Sequence, residues 1–140
     1  HRFVGDYLIT GDLGLMDAQG FLQFVARDDD VITASGYRIG PTEIEATLAQ
    51  DSRVIMATVV AAPDPTRGHV IGAYVTVSKS PEIGFEQDLI AKVAKQLSPH
   101  MAPKWVRIVA EMPMTATGKI RRVALREMAA RAPVQEQTAE

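Results

Sequence analysis

Four short segments carry residue types able to do chemistry. Thr10-Gly11-Asp12 sets a carboxylate beside a glycine. A carboxylate can accept two hydrogen bonds from a ribose diol, and it can equally cap a turn. Arg27-Asp28-Asp29-Asp30 joins a fork-shaped donor to an acidic run, a composition that suits a hinge or a solvated linker. In Ser35-Gly36-Tyr37-Arg38-Ile39-Gly40-Pro41 the glycines allow backbone to approach a ligand closely, and Arg38 adds a fixed positive charge suited to phosphate. A tight hairpin with a surface arginine would use the same residues. Thr115-Ala116-Thr117-Gly118-Lys119-Ile120 ends a loop just before a helical pattern, where backbone donors and a lysine face an anion. It is not a P-loop, because the first glycine of that motif would fall on Pro113. Without that glycine, a Gly-Lys pair ahead of a helix also describes an ordinary surface loop.

The elements that must hold these segments follow from hydrophobic spacing. Residues 7–25 read as two short strands about a turn at Asp17-Ala18-Gln19-Gly20. The polar run from Arg27 to Asp30 is the best domain boundary, and a hairpin through Ala34-Ser35-Gly36 follows it. Gly40-Pro41-Thr42-Glu43 starts a helix, with proline near its first position and an acid in its first turn. Residues 54–62 form a buried strand ending at Pro63-Asp64-Pro65, and residues 69–77 are its neighbour. Phe85, Leu89, Val93 and Leu97 recur every four residues, predicting an amphipathic helix stopped by Pro99 and Pro103. Residues 105–110 give a third strand and 120–131 a last helix. Leu89, Val93 and Met128 are expected in the core, and Trp105 is expected to pack rather than to stack on a ligand. The tail 133–140 is polar and expected to fray. The fold class is therefore α+β: a three-stranded sheet flanked by helices, a short two-stranded hairpin, and a leading β-hairpin.

Composition narrows the function. The 140 residues hold 46% hydrophobic and 23% charged side chains, near the average of globular domains. A formal charge of −2 gives no support for nucleic acid or an anionic membrane as partner. The absence of cysteine excludes disulfides, a thiol nucleophile and Cys-ligated zinc. The three histidines show no ligand spacing, so no metal site is assigned. The chain begins at His1 rather than Met, which reads as an excised piece, and the cytoplasm is the default expectation.

Taken in order, the four segments resemble the C-terminal part of the adenylate-forming (AMP-dependent synthetase and ligase) enzymes. The strongest stretch is D-D-V-I-T-A-S-G-Y-R-I-G-P-T-E-I-E over residues 29–45, followed by T-A-T-G-K-I-R-R from Thr115. The Ser-Gly-Tyr-Arg-Ile-Gly-Pro version is most similar to short- and medium-chain acyl-CoA synthetases. The resemblance implies that residues 1–28 end a large N-terminal domain, that 29–132 form a mobile C-terminal domain, and that 133–140 are a tail.

It further implies two half-reactions: a carboxylic acid and ATP give acyl-AMP and pyrophosphate, then coenzyme A displaces AMP. Lys119 is implied as the catalytic lysine of adenylation. Asp12, Arg27 and Arg38 are implied to contact nucleotide, Asp29 to be the hinge, and Ser35, Gly36 and Tyr37 to wall the CoA tunnel. ATP/AMP, Mg2+ and CoA are the implied cofactors and co-substrates, with Mg2+ and the acyl pocket on the large domain. Two departures stand out: Ala26 where a Gly is usual, and Met114 where a Lys is frequent. Two other readings compete. One is an adenylation domain that loads a carrier protein; the other is a non-catalytic α+β module binding a phosphate ligand.

Overall fold

The structure is a computed structural model that describes residues 2–131; the expected frayed tail, 133–140, lies outside the described residues. Two hairpins lead the chain. β1 (Phe3–Val4) pairs with β2 (Tyr7–Leu8), and β3 (Asp12–Met16) pairs with β4 (Leu22–Arg27), both antiparallel. The second is the core of the hairpin expected over 7–25, but its strands run from Asp12 to Arg27, and Tyr7–Leu8 pair with β1 instead. Its turn is fixed by Asp17, whose Oδ1 accepts from the amides of Gln19 and Phe21, each at 2.9 Å. The first hairpin was not expected, because two-residue strands are too short to show alternation.

After a 3-10 turn at Asp28–Asp30, β5 (Ile32–Ala34) and β6 (Tyr37–Ile39) form the predicted short hairpin. Its apolar residues Ile32, Ala34 and Ile39 point into the core. α1 (Pro41–Ala49) starts with proline in its first turn and buries Ile44 and Leu48 completely. β7 (Val54–Asp64) and β8 (Gly68–Val77) pair antiparallel. α2 (Phe85–Gln96) then carries the chain across, so that β9 (Trp105–Ile108) joins β8 in parallel. A parallel neighbour requires such a crossover. α3 (Arg122–Arg131) closes the described chain.

The sheet order is β7-β8-β9, and both faces are covered. Val59, Ile71, Ala73 and Val75 meet α1, α2 and the β5–β6 hairpin on one face. Val60, Ala62, Val70 and Tyr74 meet Leu125 and Ala129 of α3 on the other. Burial on two faces explains why β7 and β8 read as continuous apolar runs instead of alternating ones.

Besides the leading hairpin, other boundaries and one core assignment differ from the sequence reading. β7 continues through Pro63, paired with His69, because β7 is an edge strand, where proline is tolerated at the end. β9 stops at Ile108. α3 begins at Arg122, since Ile120 is instead bridged to Met114. Met128 is 42% exposed and not core, because α3 turns Leu125 and Ala129 inward.

Candidate functional site

Asp12, Arg27 and Asp29 meet at the foot of the β3–β4 hairpin. Position 12 on β3 pairs with position 27 on β4, so strand register alone puts the carboxylate opposite the guanidinium. Arg27 Nη1 donates to Asp12 Oδ1 at 3.2 Å and to the Thr10 carbonyl at 3.0 Å, while Nε lies 3.4 Å from Asp29 Oδ1. Gly11 takes φ +81°, and a Cβ there would press on Arg27 Nη2 at 3.0 Å, so the glycine makes room for the guanidinium. The neighbouring Arg38 reaches Asp28 at 3.5 Å. All these charges face solvent, open to an anion or a diol.

Ser35 and Gly36 are the two-residue tip between β5 and β6. Both have positive φ, +51° and +82°, as the tightest hairpin loops require. Ser35 is the one non-glycine residue with positive φ among the described residues, a strained placement of the kind found at ligand-facing turns. A Cβ on Gly36 would meet nothing within 4 Å, so the space over the tip is open. Tyr37 stacks on His100, with ring centroids 4.2 Å apart. A cleft beside Ser35 is lined by Arg67, His100, Pro103 and Lys104. Sequence reading missed these residues, because the crossover through α2 brings Lys104 beside the hairpin from far along the chain.

Lys119 closes a tight loop. The Thr115 amide donates to the Lys119 carbonyl at 2.7 Å, the Gly118 amide to the Thr115 carbonyl at 3.0 Å, and the Arg121 amide to the Pro113 carbonyl at 2.8 Å. Thr115 Oγ1 accepts from the Lys119 amide at 3.1 Å. Gly118 supplies the left-handed turn at φ +84°. The threonines therefore hold the loop shut and leave the Lys119 side chain exposed. No hydrogen bond or ion pair among the described residues joins Lys119 to the Asp12–Arg27–Asp29 group. The chain alone presents them as separate patches.

Behind the lysine loop, Arg122 packs against Glu45 and Asp30. Burial works against its charge, but Glu45 and then Asp30 outweigh that effect and raise its pKa above the usual guanidinium value. Sequence reading quoted Asp30, Glu45 and Arg122 within its two motif stretches but did not join them as a group. No group of three or more His, Cys, Asp or Glu among the described residues is arranged to hold a metal ion.

Residues 43–119, just over half the chain, match the family described as AMP-binding enzyme C-terminal domain. Human mitochondrial acyl-coenzyme A synthetase ACSM4 is 44% identical over 128 residues, covering 88% of this chain and 22% of the relative. ATP-bound MatB from Rhodopseudomonas palustris superposes with a TM-score of 0.81 at 29% identity, over 91% of this chain and 25% of that one. The Brucella canis acyl-CoA synthetase gives 0.69 at 38% identity, over 98% and 25%. The chain thus spans only a fifth to a quarter of these proteins.

Proposed function

The chain belongs to the AMP-binding enzyme C-terminal domain family, and on that premise we propose that it is the C-terminal part of an ATP-dependent acyl-CoA ligase. The observation that carries this reading is the lysine loop: a backbone-locked turn that holds the exposed Lys119 ammonium at its rim, unpaired among the described residues. In adenylation a carboxylate oxygen bonds to the α-phosphorus, the bond to the bridging oxygen breaks, and pyrophosphate leaves. Negative charge grows on the oxygens around phosphorus, where the Lys119 ammonium stabilises the transition state more than the ground state. Asp12 accepts from the ribose hydroxyls once its partner Arg27 turns toward nucleotide, and Arg38 contributes charge near phosphate.

The domain from residue 29 onward then turns about Asp29. Lys119 leaves, and the Ser35-Gly36-Tyr37 tip takes its place. The thiol sulfur bonds to the acyl carbon, the carbon–oxygen bond to AMP breaks, and the thiol proton passes to solvent. Open space above Gly36 suits a slim pantetheine arm, and Arg67 and Lys104 beside Ser35 suit the phosphates at its far end. Among the described residues no group of His, Cys, Asp or Glu is arranged to hold Mg2+, and the resemblance assigns that ion to the large domain.

The leading hairpins support the same division. Leu15, Met16, Phe21, Leu22 and Phe24 are each more than 60% exposed, an apolar surface that suits coverage by the rest of a large N-terminal domain. Residues 1–28 are its last strands on this reading.

In the full-length parent, Lys119→Ala should lower acid-dependent pyrophosphate exchange by about 10²–10³. Thioester formation from supplied acyl-AMP should persist. Equal loss in both half-reactions removes the division of labour proposed here. Acid activation that CoA fails to discharge would point instead to loading of a carrier protein. Tight ATP binding by residues 1–140 alone, read by calorimetry, would favour a stand-alone phosphate-binding module.

A further inference from the structure

Asp30, Glu45, Arg122 and Arg126 form an ion network that the reaction steps above leave without a task. Arg122 grips Glu45 with two parallel bonds, Nη1 to Oε1 at 2.5 Å and Nη2 to Oε2 at 3.0 Å. Nη1 also donates to the Val59 carbonyl at 3.1 Å, and Nε lies 3.4 Å from Asp30 Oδ2. One turn on, Arg126 Nη1 reaches Asp30 Oδ1 at 3.4 Å. Glu45 Oε1 accepts in addition from the Val59 amide at 3.0 Å. The side chains of Asp30, Glu45 and Arg122 are only 17–21% exposed, so solvent screens them far less than the pairs around Arg27. Two carboxylates and two guanidiniums balance, and the group ties together the 3-10 turn, α1, β7 and the first two turns of α3.

We propose that Asp30, Glu45 and Arg122 are positioning residues for Lys119, clamping the start of α3 to the residue that directly follows Asp29. The inference rests on the reading of Lys119 and Asp29 given above. Lys119 lies three residues before Arg122, and its loop is already closed on itself by the bonds from Thr115, Gly118 and Arg121. The remaining freedom is movement of the whole loop with the first turn of α3. Leu125 and Ala129 hold α3 on the sheet by apolar contact, which is non-directional and resists sliding poorly. A bidentate arginine fixes angle and register as well as depth. Asp30 joins that fixed point to the hinge, so rotation at Asp29 reaches Lys119 without slack.

The test uses the full-length parent with Glu45→Gln, which keeps size but removes the charge and turns one acceptor oxygen into a donor, and Arg122→Lys, which keeps charge but loses the fork. Misplacement of a reacting group by an ångström can cost about 10²-fold, so kcat for pyrophosphate exchange should fall on the order of 10- to 100-fold. KM for ATP and the rate of thioester formation from supplied acyl-AMP should stay near wild type. Equal decline of both half-reactions, the signature of general loss of packing, overturns the inference; so does unchanged adenylation. If Glu45→Gln does not fold, Asp30→Asn carries the same expectation. Lys119→Ala runs beside them: should it leave adenylation intact, the proposed function itself fails and the clamp with it. If Lys119→Ala abolishes adenylation while the clamp variants do not, the clamp alone is lost.

Discussion

Gly72→Ala tests the packing that sets the sheet under the site. Gly72 sits in the middle of β8, opposite Val60 of β7 and Trp105 of β9. A Cβ there would lie 2.3 Å from Cζ2, 2.5 Å from Cη2 and 2.8 Å from Cε2 of Trp105. Ordinary carbon contacts are about 3.5–4.0 Å, so the indole must retreat by more than ~1 Å. It has little room to do so. Its ring meets Tyr74 edge-on at 5.2 Å, Arg107 lies over it at 4.3 Å, and the Lys104 amide ties the start of β9 to the Ile71 carbonyl at 2.7 Å. Overpacking costs roughly 1–3 kcal/mol, and rigid neighbours place this case near ~2–3 kcal/mol. For a chain of 140 residues each kcal/mol moves Tm by about 3–5 °C, so Tm should drop by roughly 6–15 °C. Thermal unfolding followed by circular dichroism reads the shift. Trp105→Leu opens the space, so Gly72→Ala should cost much less in that background, with a coupling above about 1 kcal/mol. A fall in Tm of less than about 3 °C, or no coupling, refutes the reasoning.

Other changes test the site and its surroundings. Gly36→Leu should slow the CoA-dependent step of the parent and spare pyrophosphate exchange, because it fills the open space over the tip; unchanged CoA turnover would sink the tunnel assignment. It also places a branched side chain at φ +82°, so a cost of about 1–2 kcal/mol should appear in denaturant unfolding. Asp51 accepts from Arg53 Nε and Nη2 at 2.9 and 2.8 Å, and the Arg53 side chain is the main reason its pKa is held down to about 2. A depressed carboxylate pKa stabilises the fold above its unfolded value, and that contribution is lost as pH falls from about 4 toward 2. Asp51→Asn should therefore cost about 1 kcal/mol at pH 7, a figure kept small by the exposure of Arg53, and flatten the acid limb of urea unfolding. An unaltered acid limb counts against it.

What was legible in the sequence follows from how local the signal is. The four-residue repeat of Phe85, Leu89 and Val93 gave α2, and all three side chains are fully buried. Gly40-Pro41 gave the start of α1 within a residue. Gly36 marked the hairpin tip because the turn takes positive φ there, whereas nothing in the sequence showed that Ser35 takes positive φ too. The Asp12–Arg27 pair was not legible as a contact, since fifteen residues and a register shift near Leu13 separate them. The Glu45–Arg122 pair spans 77 residues and depends on β7 lying between α1 and α3, which no short pattern reveals. Ile120 was read as helix because apolar residues at that spacing suit α3; a bridge to Met114 took it instead.

The charges around Asp29 argue for where the domain can pivot. Asp28 is tied to the leading hairpin, its amide donating to the Gly11 carbonyl at 2.8 Å. Asp30 is tied to the body of the domain through Arg122 and Arg126, with its side chain 17% exposed. Between them, Asp29 is held by Arg27 at 3.4 Å, with side chains 66% and 48% exposed. Exposed pairs of that kind are worth about 0–1 kcal/mol, whereas removing one partner of a buried pair costs about 3–5 kcal/mol. Rotation at Asp28 would pull on the hairpin, and rotation at Asp30 would strain the half-buried network. Rotation at Asp29 would strain the exposed Arg27–Asp29 and Arg38–Asp28 pairs, both weak surface contacts, and on the proposed reading the same movement frees Arg27 to leave Asp12. Asp12 and Asp29 thus share one arginine, and if Asp29 is the hinge and Asp12 the ribose ligand proposed above, that arginine would couple domain orientation to the nucleotide site.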